Sequence, residues 1–170
     1  MSPYLTGAMT ADAAVYSATR PLAIVRLSAN QSIPNASTTT VTWGTTEADT
    51  GVACGLSAMV SGANIYARTA GVYHLAASVV FDLDTSGSRR VLEICRVSSG
   101  TTTVVARISQ ASSVNTYEDF PMSVTSVFAA SSGDYFFVRV YHSAGNALSL
   151  VNNSGHNINR FSVIWAGPSS

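Results

Sequence analysis

Few side chains here have types and spacings that suggest chemistry. The histidines are His74, His142 and His156, and no two share the short spacing that sets a pair of imidazoles on one element around a metal ion. They read as interface or surface histidines, with no metal and no cofactor expected. Asp82 and Asp84 flank Leu83 in a loop, but two carboxylates fall short of the roughly six to eight oxygens that calcium takes. A glycan hydrolase needs a pair of placed carboxylates, and Glu93, Glu118 and Asp119 are the ones available. Serines are common, yet there is no Gly-x-Ser-x-Gly elbow and no glycine-rich phosphate loop. The chain therefore reads as a non-enzyme. The adjacent pair Arg89-Arg90 reads as charge at a strand edge. Cys54 and Cys95 lack metal-ligand spacing and read as buried free thiols.

These residues sit in a chain of 170, enough for one domain with a real core. A chain of this length buries roughly 70% of its unfolded surface and needs no metal or disulfide to stay folded. Hydrophobic residues make up 46% and charged residues 11%, and the net charge is zero. No long-range field steers such a chain to nucleic acid or to an anionic membrane. All nine basic residues are arginine. No stretch is long and apolar enough to enter a membrane. The opening residues lack the basic and apolar run of a secretory leader, so synthesis in a reducing cytoplasm is expected. The sequons at Asn30, Asn35 and Asn152 matter only in a secretory pathway.

The element around which the rest is arranged is Gly71 to Phe81. Tyr73, Leu75, Ala77, Val79 and Phe81 form an unbroken apolar face at period two, and Val72, His74, Ala76, Ser78 and Val80 form a mixed one. Further strands are expected at 23–27, 40–43, 64–68, 89–97, 103–110, 122–129, 135–143, 147–151 and from Arg160 on. Asn30 to Thr38 reads as turn chemistry around Pro34. Residues 45–62 read as a long connection anchored by Cys54, Leu56 and Met59. Many short strands, frequent turns and no helical period predict an all-β antiparallel sandwich.

Residues 1–21 differ. Tyr4, Leu5, Met9, Val15 and Tyr16 are scattered among Ala, Thr and Ser without alternation, and Pro21 closes the stretch. This predicts an extended arm that orders on a partner, leaving 22–170 as the folded domain.

Three segments resemble one family. Ala70 to Leu75 (AGVYHL), Gly133 to Tyr141 (GDYFFVRVY) and Phe161 to Trp165 (FSVIW) are similar, in that order, to strands of the complement globular-head and tumour-necrosis-factor superfamily. Arg26 to Asn35 resembles the opening strands of its phage and bacterial members. Val163 stands where that pattern has glycine, and Leu75 where it has an aromatic residue. The resemblance implies a jelly roll of about ten strands that forms a compact homotrimer. Strands 71–81 and 135–143 carry apolar residues on both faces, which agrees with a partner covering one of them. The interface set is Tyr73, His74, Phe136, Phe137, Tyr141 and Phe161, with the face that meets the three-fold axis left open.

The function expected is that of a structural protein on a bacteriophage particle. It would be assembled in the host cytoplasm and attached to capsid or tail proteins through its arm, as a decoration or short-fibre trimer. The alternative is a receptor- or glycan-binding tip that meets a host surface glycan through loops 112–120 and 152–157.

Overall fold

A computed structural model describes residues 20–111, 119–152 and 159–169. In chain order the strands are β1 (Leu22–Arg26), β2 (Gln31–Ile33), β3 (Thr39–Thr40), β4 (Thr45–Asp49), β5 (Val60–Ser61), β6 (Asn64–Tyr66) and β7 (Gly71–Phe81). Then come β8 (Arg90–Ser98), β9 (Thr101–Gln110), β10 (Phe120–Ala130), β11 (Tyr135–His142), β12 (Leu148–Leu150) and β13 (Arg160–Gly167). These thirteen include the ten or so expected, together with short pieces that carry no alternation of their own.

The strands form two antiparallel sheets. The first runs β2-β12-β7-β13-β1-β4, with β10 on the other edge of β7. The second runs β5-β6-β11-β8-β9, with β3 added beside β11. Period two explains how they stack. Tyr73, Leu75, Ala77, Val79 and Phe81 of β7 point inward, as do Phe136, Val138 and Val140 of β11, Leu92 and Ile94 of β8, and Phe161 and Val163 of β13. Tyr73 packs on Phe136 with ring centroids 5.9 Å apart, so the facing sheets touch through aromatic rings at mid-core.

Gly71 opens β7 at φ +150°, where a Cβ would lie 2.3 Å from both the Gly167 carbonyl and Trp165 Nε1. The turn into β7 thus needs glycine for close approach as well as for its backbone angle. Buried Asn159 links three segments: its Oδ1 accepts from Val80 N–H at 2.8 Å and its amide donates to the Val151 carbonyl. It joins the end of β12 and the start of β13 to β7.

The stretch 45–62 departs from the expected connection. Thr45–Asp49 pairs with β1 as an edge strand, and the Asp49 carboxylate accepts from the N–H groups of Gly51, Met59 and Val60. Of the three expected anchors Met59 alone is fully buried, while Cys54 and Leu56 are partly exposed. Gln31–Ile33, read as turn, pairs with β12.

Candidate functional site

The outer faces of the two sheets are where a ligand or partner can meet the described residues. On the first sheet, the register puts Val127 of β10 and Ile164 of β13 on either side of His74. Thr125 and Ser162 flank Ala76 in the same way, Ala129 lies beside Val72, and Leu22 and Ile24 of β1 extend the face. Val127 is 59% exposed and Ile164 36%. Among the described residues charge enters this face only at one end, where Glu47 pairs with Arg26 at 3.3 Å and with Arg160 at 2.7 Å.

The outer face of the second sheet is built differently. Strand β11 sets Tyr135, Phe137, Arg139 and Tyr141 outward. Tyr66, Tyr135 and Phe137 form a run of rings 5.2 and 6.4 Å apart. Glu93, mid-strand in β8, lies directly opposite Arg139 of β11 and Arg107 of β9. Arg139 Nε donates to Glu93 Oε2 at 2.5 Å, and Arg107 Nε stands 3.5 Å from Oε1. The bond to Glu93 holds the Arg139 guanidinium's pKa above its ordinary value, against the effect of its partial burial. Beneath these long side chains lies Cys95, whose thiol is pushed up to about 11 chiefly by burial. Arg89 stacks on Tyr141, 4.9 Å from the ring centroid. Thr38, Arg89, Val91, Glu93, Arg107, Arg139 and Tyr141 enclose a cavity of about 220 Å³.

The structure corrects part of the expected interface set. Tyr73, Phe136 and Phe161 are fully buried within the single chain, because each sits on the inward register of its strand. They fill the core and cannot reach a partner. The other three lie on outer faces: His74 on the first sheet, Phe137 and Tyr141 on the second. The arm residues Tyr4, Leu5, Met9, Val15 and Tyr16 lie outside the described residues, as do Glu118, His156 and most of loops 112–120 and 152–157.

His142 is neither a surface nor an interface histidine. It is fully buried, with Nε2 2.8 Å from the Ile33 carbonyl and Nδ1 accepting from Ala144 N–H. Its ring is satisfied and edge-on to Phe81, which makes it a structural residue. Arg90 is likewise not an edge charge. It is 1% exposed and donates to the carbonyls of Arg89, Asp84 and Ser86, clamping the 82–88 loop. Asp84 accepts from Ser86 N–H at 2.6 Å and Asp82 from Leu83 N–H at 2.9 Å, so both carboxylates serve local turns. Among the described residues no three His, Cys, Asp or Glu side chains cluster as metal ligands. Asp119 stands just ahead of β10 in the first sheet, whereas Glu93 faces outward from the second, so they do not share a cleft. Cys54 and Cys95 form no disulfide among the described residues, and Cys95 is buried while Cys54, expected to be buried, is partly exposed.

Sequence reasoning missed the Glu93–Arg139–Arg107 cluster. The available signal was a charge in the interior of each of three strands, Glu93 in β8, Arg107 in β9 and Arg139 in β11. Only the register brings the three together.

No family model and no curated protein matches the chain. Solved structures do. Murine APRIL at pH 5.0 superposes with a TM-score of 0.64 at 15% identity, covering 86% of this chain and 99% of that one. Eiger TNF from S. frugiperda superposes with a TM-score of 0.61 at 18% identity, covering 89% and 96%. The fold is a jelly roll of the tumour-necrosis-factor type.

Proposed function

We propose, from a jelly roll of this type whose first sheet leaves an outer face of small residues open, that the chain is a non-enzymatic structural subunit. It acts as a homotrimer on the surface of a bacteriophage particle and is held to capsid or tail proteins by residues 1–21. The observation that carries the trimer is the outer face of β7, β10 and β13, which among the described residues carries charge only at its Arg160 end and leaves Val127 and Ile164 in water. Exposed apolar patches of this kind mark association surfaces. A closed three-fold ring needs two different patches on each copy. The second patch is the side of the sandwich where β9 and β10, the edge strands of the two sheets, meet, and where Phe120, Val124, Phe128 and Val105 are only partly buried. An edge packed on the neighbour's sheet face covers both.

The virion assignment rests on the sequence: the resemblance to phage members and the apolar residues of the arm, whose three copies in one trimer would bind together. Two measurements test the proposal. Light scattering at micromolar concentration is expected to give a trimer, and a stable monomer overturns that part. Deleting residues 1–20 is expected to leave the trimer's melting temperature nearly unchanged and to abolish incorporation into particles. Truncated protein that still decorates virions removes the arm as anchor.

A second reading, binding of a host surface glycan, is favoured by one observation: the aromatic and arginine-lined outer face of the second sheet.

A further inference from the structure

We infer that the cavity between β8, β9 and β11 is a binding site for an acidic sugar, a pyranose that carries a carboxylate. This deepens the glycan-binding reading above and rests on it. It moves the contact away from the loops, onto the rigid outer face of the second sheet.

Charge comes first. Three of the chain's nine basic residues, Arg89, Arg107 and Arg139, line one cavity that contains a single carboxylate, Glu93. The lining carries an excess of two positive charges in a chain whose total is zero. Glu93 is committed to Arg139 by the 2.5 Å hydrogen bond. Arg107 meets it only through Nε at 3.5 Å, beyond a good hydrogen bond, and its side chain is 51% exposed. Arg89 has no carboxylate partner among the described residues, and Tyr141 holds its guanidinium from one side. Two planar donors are thus available at one cavity, in the arrangement suited to a carboxylate.

The rest of the lining selects a sugar over a bare anion. Val91 and the Tyr141 ring form an apolar wall that suits the C–H face of a pyranose. The hydroxyls of Thr38 and Tyr141, with Glu93 as acceptor, suit its equatorial hydroxyls. The volume, about 220 Å³, lies below the roughly 300–1,000 Å³ of drug-sized ligand sites. One sugar ring fits that space; an extended peptide or nucleic acid does not.

The test is titration of the full-length chain, followed by ligand-observed NMR, with methyl galacturonoside, methyl galactoside and acetate as separate probes. The uronoside is expected to bind at least tenfold more tightly than the neutral galactoside, and more weakly as salt rises. Arg89→Ala and Arg107→Ala, both at exposed side chains, are each expected to weaken it at least tenfold with unchanged melting. Tyr141→Phe is expected to retain most of the binding. Equal binding of uronoside and galactoside overturns the acidic-sugar assignment, as does undiminished binding by both arginine variants. Acetate binding as tightly as the uronoside reduces the site to an anion site and overturns the sugar. A parallel test with whole host-envelope polysaccharide separates the two levels: binding that survives in both arginine variants overturns this site and leaves the glycan reading standing, whereas no binding by the unaltered protein overturns both.

Discussion

The outer faces of β7 and β11 make an instructive pair. Both strands are apolar on their inward register and cover the same core from opposite sides. Outward, β7 presents Val72, His74, Ala76 and Ser78, while β11 presents Tyr135, Phe137, Arg139 and Tyr141. The large side chains of β11 lie over their neighbours, so Val91, Glu93, Cys95 and Val97 of β8 are buried although they point away from the core. The second sheet covers its own outer face. The small residues of β7 cannot do this, and Val127 and Ile164 beside them stay in water. A face of small, uncharged residues invites another protein surface, while a face of rings and paired charges is closed except at one cavity.

The largest expected effect separates both outer faces from the core. Phe136→Ala and Phe161→Ala remove rings that are fully buried in one chain, and each is expected to cost about 3–5 kcal/mol. A denaturation midpoint that hardly moves while the oligomer dissociates would return these residues to the interface.

Placing one charge on each outer face tests the comparison directly. Val127→Glu is expected to release a folded monomer, because a carboxylate buried without a partner costs several kcal/mol. Phe137→Glu, at a residue of the expected interface set that the structure puts on the second sheet's outer face, is expected to leave the trimer intact. Light scattering of the pair decides: identical behaviour of the two variants would erase the distinction.

A smaller effect belongs to the charged face alone. Glu93→Gln leaves Arg139 without its ionic partner, and about 1–2 kcal/mol of stability is expected to be lost, moderated by the water that reaches Arg139 and Arg107. Thermal unfolding of the variant checks this. No change would mean that the cluster serves the cavity and not the fold.

The smallest effect is a pH slope. Burial pushes the Asp134 carboxyl up, but hydrogen bonds from Ser98, the Ser131 N–H and Arg96, with the Arg96 charge, outweigh it and hold the pKa below its ordinary 3.8. A lowered carboxyl pKa gives stability that is fully present above the unfolded value and lost as pH falls through the folded one. Asp134→Asn is expected to flatten the stability curve below about pH 4. An unaltered acid limb would contradict this.

Much of the fold was legible in the sequence, because period-two alternation reports directly which side chains share a sheet face. Strand β7 was readable to the residue, with Gly71 marking its start. Strand β4 was not, since an edge strand such as Thr45–Asp49 needs no apolar face. The trimer set was not sorted by the sequence. The structure puts His74, Phe137 and Tyr141 on outer faces, but Tyr73, Phe136 and Phe161 could not be told from interface residues while the inward face was unknown.

The sequence by itself determined a β-rich chain of zero net charge, the sandwich class and the pairing of residues on each face, because these depend on composition and on neighbours two positions apart. Only the tertiary structure decided which face of β11 enters the core, why Arg90 and His142 are buried, and that Glu93 meets Arg107 and Arg139. Those outcomes depend on strand register and sheet order. In register, positions 14 and 46 residues from Glu93 become its immediate neighbours, and no local pattern encodes a separation of that length.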